Sequence, residues 1–137
     1  MNVGSIMTRR VVTVELDDTL ETIREIFNNV KFHHLLVVGN QGLVGVISDR
    51  DLLKALSPFV GMLDEHPRDL AIFNKRAHQI MSRDLITVDK DTSIEAAASL
   101  LLSEDVSCLP VTSPGGTIEG IVTWKDMFKA HLNASNR

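Results

Sequence analysis

Two stretches of the chain place a hydroxyl and a carboxylate three residues apart at the end of an apolar run. They are Gly45-Val46-Ile47-Ser48-Asp49-Arg50-Asp51 and Gly120-Ile121-Val122-Thr123-Trp124-Lys125-Asp126. An apolar strand ending in Ser or Thr at a helix start sets that hydroxyl beside free backbone N–H groups and the positive end of the helix dipole. That setting favours an anion such as phosphate. One helical turn on, the carboxylate lies near the hydroxyl and can accept two bonds from a vicinal diol such as ribose. Ser48 and Thr123 are therefore candidate phosphate contacts, and Asp51 and Asp126 candidate ribose contacts. The same residues also make capping boxes, with Ser48 or Thr123 as N-cap and the aspartate at the third helical position. Taken alone, they leave both readings open.

The elements that must position these groups occur twice. Ile6-Met7-Thr8-Arg9 returns as Ile80-Met81-Ser82-Arg83, and in that register Thr13-Val14 meets Thr87-Val88, Asp17 meets Asp91 and Thr19-Leu20-Glu21 meets Ser93-Ile94-Glu95. Leu35 and Val37 likewise meet Leu109 and Val111. Gly45-Val46-Ile47-Ser48 matches Gly120-Ile121-Val122-Thr123 one residue later, the extra residue falling in the turn-prone Ser113-Pro114-Gly115-Gly116. In each copy a β-branched strand (Val11–Val14 in the first) leads to helix N-cap candidates, Asp17-Asp18-Thr19. Leu20, Ile23, Ile26 and Phe27 share one helical face, as do Ile94, Ala97, Ala98 and Leu101. Leu35–Val38 is a second strand, Asn40-Gln41-Gly42 a hairpin signal and Leu43–Ser48 a third strand. A helix then starts at Asp49 and runs through Leu52, Leu53 and Leu56.

The order is β-α-β-β-α, twice, an α/β (α+β) fold. Neither three-stranded copy can bury much by itself, so two should pack together with pseudo-two-fold symmetry. The expected organisation is repeat 1 at residues 1–57, a connecting segment at 58–76 and repeat 2 at 77–137. The connecting segment carries Phe59, Val60, Met62, Leu63, Leu70, Ile72 and Phe73, punctuated by Pro58 and Pro67. That content points to a packed helical excursion that caps the core, with a lid or dimer contact as the alternative.

Composition narrows the function classes. Of 137 residues 44% are hydrophobic and 23% charged, a globular balance, and the net charge of −4 argues against a general attraction to nucleic-acid phosphates. The longest apolar runs, such as Leu35-Leu36-Val37-Val38, are strand-sized and far too short for a membrane span. The N-terminus lacks the pattern of a signal peptide, and the single cysteine, Cys108, fits a reducing interior, so a cytoplasmic location is expected. Cys108 lies among apolar neighbours and reads as a small hydrophobe. His33 and His34 are adjacent in an extended segment and point to opposite faces, so no metal site is expected there. The acids Asp17, Asp18, Asp89 and Asp91 read as loop and helix-start charges. No Walker loop, dinucleotide fingerprint, zinc signature or nucleophile elbow occurs, and no enzymatic activity is expected.

The duplicated β-α-β-β-α frame with its two Gly-x-x-Ser/Thr-x-x-Asp motifs resembles the tandem CBS-domain pair, or Bateman module, over nearly the whole chain outside residues 57–76 and the last few. The resemblance implies a regulatory ligand-sensing module for an adenine nucleotide, AMP, ADP or ATP, bound in clefts that each draw on both repeats. Cleft one would join Ser48 and Asp51 to Ser82, Asp84, Leu85 and Ile86, with Val106 flanking adenine. Cleft two would join Thr123 and Asp126 to Thr8, Arg10, Val11 and Val12, with Phe32 in the place of Val106. Backbone groups around Val12 and Ile86 would read the adenine edge. Arg10 in cleft two and Asp84 in cleft one differ in charge, so further phosphates are easier to accept in cleft two. The family often has His or Arg near the phosphates at the place of His33, which makes His33 a candidate phosphate contact.

Family members often carry a proline in the second strand; Pro110 has it, whereas the first copy has Leu36. Trp124, inside the second motif, would stack on a ligand or cover the helix start. Such modules commonly form flat homodimers, so the helices Asp49–Leu56 and Asp126–Leu132 are expected to meet a second copy, and a separate effector protein would receive the signal. Two rivals stay open. One is a dimerisation or scaffold module in which the motifs are capping boxes only. The other is a sensor of S-adenosylmethionine or another adenosyl compound, from which the phosphate-side groups Arg10, His33 and Lys125 would discriminate.

Overall fold

The computed structural model describes residues 1–56 and 71–135, which form six α-helices and five strands. They run α1 (Val3–Ile6), β1 (Thr13–Glu15), α2 (Leu20–Asn29), β2 (His34–Gly39), β3 (Gly42–Ser48) and α3 (Asp49–Leu56). A 3-10 turn (Ala71–Asn74) follows, then α4 (Ala77–Ile80), α5 (Ile94–Ser103), β4 (Cys108–Thr112), β5 (Ile118–Thr123) and α6 (Trp124–Ser135). The chain divides into two compact units, and the division does not fall between the copies. Val12–Asp84 forms one unit, while Met1–Val11 joins Leu85–Arg137 in the other. Each unit therefore takes its opening segment from the other copy of the repeat.

In the Val12–Asp84 unit, β1 pairs in parallel with β2 and β2 antiparallel with β3. Leu35, Leu36 and Val37 are all buried, so β2 is covered on both faces and reads as an unbroken apolar run. Thr19 caps α2, whose Thr22 N–H donates to the Thr19 hydroxyl at 3.3 Å. Asp18 closes the turn before the helix, where its carboxylate accepts the Glu15 N–H at 2.7 Å. Leu20 and Ile23 face inward, as their spacing requires. Ile23, Leu35, Val37 and Ile47 meet Ala77 and Met81 in one core cluster, and Leu20, Leu52, Leu56 and Phe73 form a second. Phe73, from the connecting segment, thus packs into the core, with the Arg24 guanidinium 5.4 Å from its ring centre. Phe59, Val60, Met62, Leu63 and Leu70, with Pro58 and Pro67, lie outside the described residues.

The unit of Met1–Val11 and Leu85–Arg137 repeats this plan with one difference. The β4–β5 hairpin matches β2–β3, and Ser93 caps α5 by accepting the Ala96 N–H at 3.1 Å. The counterpart of β1, however, shrinks to a single parallel bridge between Val88 and Val111. The reason is Pro110. In the first copy the Leu36 N–H donates to the Val12 carbonyl at 3.0 Å. Pro110 stands at that place with no N–H to give, so the Ile86 carbonyl receives no ladder bond and only the bonds around Val88 remain. Val3, Met7, Ala97, Leu101, Leu109, Val111 and Val122 make up the core.

The glycine that opens each motif makes room for a crossing segment. Thr8 and Ile121 exchange backbone bonds of 2.8 and 2.9 Å, and Ser82 and Val46 exchange bonds of 2.8 and 3.1 Å. A Cβ on Gly120 would stand 2.6 Å from the Thr8 carbonyl oxygen, and one on Gly45 would run into the Met81 side chain. Glycine is what lets the crossing segment lie against the strand that ends in the motif.

Candidate functional site

Ser48 ends β3 and Asp51 lies in the first turn of α3. The two are joined reciprocally: the Ser48 N–H donates to Asp51 Oδ2 at 2.8 Å and the Asp51 N–H donates to Ser48 Oγ at 3.1 Å. This is the capping box the spacing allows. It leaves Asp51 half-buried, with Oδ1 accepting no bond from the described residues and reaching solvent. The box therefore fixes the carboxylate without using it up. The Ser48 hydroxyl, the Arg50 N–H between the engaged N–H groups of Asp49 and Asp51, and a free carboxylate oxygen form the set that a phosphate and a diol would need.

At the other motif the Thr123 N–H donates to Asp126 Oδ2 at 3.0 Å, the Thr123 hydroxyl to the same oxygen at 3.3 Å, and the Asp126 N–H to Thr123 Oγ1 at 3.4 Å. Here a further donor arrives from the opening segment: Thr8 Oγ1 donates to Asp126 Oδ1 at 2.9 Å. Asp126 is 7% exposed, a buried carboxylate with both oxygens engaged. At the matching place in the other unit Ser82 is exposed, and its side chain makes no hydrogen bond among the described residues.

Each motif thus shares its unit with an opening segment from the other copy of the repeat, and at Asp126 that segment bonds the carboxylate. The Val12–Asp84 unit brings Ser82 and Asp84, both exposed, into the unit of Ser48 and Asp51. The second unit brings Thr8, Arg10 and Val11 into that of Thr123 and Asp126. The remaining expected contacts divide differently. Leu85, Ile86 and Val106 belong to the unit of Thr123, and Val12 and Phe32 to that of Ser48. All five are half-buried. Backbone groups around Val12 and Ile86 are expected to read the adenine edge; the Val12 carbonyl is taken by the Leu36 N–H, and the Ile86 carbonyl is not taken by a strand partner.

His33 is exposed and its Nδ1 lies 2.9 Å from Asp49 Oδ2, while the Asp49 N–H donates to the His33 carbonyl at 3.0 Å. Asp49 as the partner of His33 went unseen in the sequence, although it sits inside the motif. His34, the next residue, faces the other way. Burial pushes its pKa below the usual histidine value, against the opposing pull of Asp49 and Asp51. Cys108, at the same repeat position as His34, is a buried thiol opposite Thr123 in the β4–β5 ladder. Among the described residues no group of three His, Cys, Asp or Glu side chains could hold a metal, and no helix is long and apolar enough to cross a membrane.

This geometry has known relatives. The family model of the CBS domain matches residues 3–58 and again residues 77–133. The chain belongs to the CBS-domain family. A CBS domain-containing protein of Dictyostelium discoideum is 33% identical over 92% of this chain and 88% of its own length. Several other curated relatives are longer, and the chain spans 44% of one that is 30% identical to it. Among solved CBS structures, the CBS-pair protein CBSX2 of Arabidopsis thaliana superposes with a TM-score of 0.80 at 28% identity, covering 99% of this chain and 97% of that one. CBSX2 has also been solved in complex with AMP, with a TM-score of 0.78 over 98% of both chains. The CBS domain pair of protein MJ0100, in complex with 5′-methylthioadenosine and S-adenosyl-L-methionine, matches with a TM-score of 0.77 at 25% identity over 96% of this chain and 99% of that one.

Proposed function

We propose that this chain is a regulatory sensor of an adenine nucleotide, AMP, ADP or ATP, that signals to a separate effector protein and catalyses no reaction. The observation that carries the reading is the state of Asp51: its carboxylate is held at a helix start beside the Ser48 hydroxyl, with one oxygen left open. Ribose hydroxyls would donate to Asp51, and phosphate oxygens would accept from the Ser48 hydroxyl and the helix N-terminus. The open carbonyl of Ile86 suits the amino group of adenine. By the family resemblance, Leu85 and Val106 would supply apolar surface for the ring, with Ser82, Asp84 and His33 at the polar rim. The second group, Thr123 and Asp126 with Thr8, Arg10, Val11, Val12 and Phe32, is the corresponding site. AMP in complex with CBSX2 supports this ligand class.

S-adenosylmethionine and related adenosyl compounds form the second reading, favoured by the ligands of the MJ0100 pair. They would share the adenosine contacts and forgo the phosphate ones at His33, Arg10 and Lys125. A homodimer fits α6, where Trp124, Phe128 and Leu132 stand 36%, 64% and 60% exposed at helical spacing and the first two rings lie 6.4 Å apart. Domains of repeat 1 (1–57), a connecting segment (58–76) and repeat 2 (77–137), and a cytoplasmic location, complete the proposal.

A thermal-shift titration against AMP, ADP, ATP, NAD and S-adenosylmethionine tests it. A ligand present at one hundred times its dissociation constant stabilises the fold by about 2.7 kcal/mol. A saturable shift with an adenine nucleotide, lost in Asp51→Ala, is the expected result. A shift with S-adenosylmethionine alone would favour the second reading. A flat response across the panel from folded protein would leave the motifs as capping boxes and the chain as a scaffold.

A further inference from the structure

The two motif carboxylates differ in what already holds them. Asp126 is buried, its Oδ2 bonded by Thr123 and its Oδ1 by the Thr8 hydroxyl at 2.9 Å. Asp51 has only Oδ2 engaged, and Ser82, at the repeat position of Thr8, does not reach it. Thr8 reaches Asp126 because Gly120 admits the Thr8 backbone against β5. Ser82 is carried against β3 by the same pairing, yet its hydroxyl stays in solvent. A vicinal diol offers two donors and takes up both oxygens of a carboxylate. At Asp126 one of those donors is already supplied from within the chain.

Resting on the adenine-nucleotide reading above, we infer that Thr8 is an intramolecular stand-in for a ribose hydroxyl at Asp126, so that the two motifs bind unequally and Thr8 sets the difference. A ribose reaching Asp126 must share Oδ1 with the Thr8 hydroxyl or displace it, and that hydrogen bond to a charged acceptor is one of the stronger kinds. It must also enter where the carboxylate is nearly covered. Although Oδ1 keeps a second lone pair, an aspartate 7% exposed leaves little edge for two further donors. Asp51 meets neither obstacle and takes ligand first. The chain thus reads low nucleotide concentrations through Ser48 and Asp51, with the Thr123–Asp126 motif responding only at higher ones.

Calorimetric titration of the full chain with AMP decides this. The wild type should bind about one equivalent tightly, in a manner lost in Asp51→Asn, with any second equivalent much weaker. Thr8→Val keeps the shape and removes the donor. It should tighten the weaker site about tenfold, equivalent to ~1.4 kcal/mol, or bring it into view. Thr8→Ser keeps the hydroxyl and should behave as the wild type. If Thr8→Val does not fold, Thr8→Ala gives the same readout. Two equal sites in the wild type, or weaker binding in a folded Thr8→Val as a direct ligand contact would give, would overturn the inference while leaving the nucleotide reading intact. Absence of AMP binding in every folded variant would sink both, and is distinguishable by the silence of the wild type itself.

Discussion

The Ser48–Asp51 and Thr123–Asp126 motifs share a spacing, a capping box and a place at the end of a buried strand, yet one presents its carboxylate and the other withdraws it. Asp51 leaves Oδ1 open, whereas Asp126 is covered and bonded on both sides. A difference of the same kind separates the strands that precede them. Leu36 gives its N–H to Val12 and extends β1 into a ladder, and Pro110 gives nothing to Ile86 and leaves a single bridge. Duplication supplied two equal frames. The different placement of the Thr8 and Ser82 hydroxyls, and the presence of Pro110 where the first copy has Leu36, make them chemically unequal.

The copies should agree most closely in their cores. Leu35 and Leu109 are both fully buried at matching places, so Leu35→Ala and Leu109→Ala should each lower stability by about 2–5 kcal/mol in chemical denaturation. A large gap between them would mean that the asymmetry extends into the cores. The carboxylates should part company. Asp126→Ala strands the Thr8 hydroxyl and the Thr123 N–H at a buried position and should cost about 3 kcal/mol, against about 1 kcal/mol for the cap lost in Asp51→Ala. Equal losses would contradict the difference in bonding between the two carboxylates.

The motif glycines provide the next contrast. In Gly120→Ala the added methyl meets a backbone carbonyl, with a cost of about 2 kcal/mol. In Gly45→Ala it meets the Met81 side chain, which can turn aside, and about 1 kcal/mol is expected. Thermal melts of both variants would show the order. The smallest effect is a pH dependence confined to one copy. Because burial lowers the folded-state pKa of His34, the unfolded chain binds the proton more readily. The stabilisation from a neutral His34 is fully present above about pH 6.5 and is lost as pH falls from there through the folded value, at no more than about 1.4 kcal/mol per pH unit. His34→Gln should flatten this part of the stability profile. Cys108, at the matching place, carries no imidazole, so its replacement should leave that slope as it is.

Much of this was legible in the residues alone. The repeat register, the caps at Thr19 and Ser93 and the inward faces of α2 and α5 follow from periodicity and side-chain chemistry, which act over a few residues. The grouping of Thr8 with Thr123 and Asp126 came from the family resemblance and not from spacing. The swap of opening segments between copies was not readable, because repeat boundaries in sequence carry no record of which strand a segment crosses. The short helices α1 and α4 also went unseen; four residues are too few to display a period. The loss of the first strand in the second copy could have been read from Pro110, since a proline in a ladder position removes a donor wherever it falls. That Thr8 reaches its aspartate and Ser82 does not depends on ångström-scale placement, beyond the reach of residue type alone.

The decisive measurement is a crystal structure of the full chain grown with AMP. The expected result is ribose hydroxyls on the Asp51 carboxylate and phosphate at the Ser48 end of α3, with Thr8 still bonded to Asp126. Ribose on Asp126 with Asp51 bare, or crystals that exclude AMP at saturating concentration from both motifs, would contradict it.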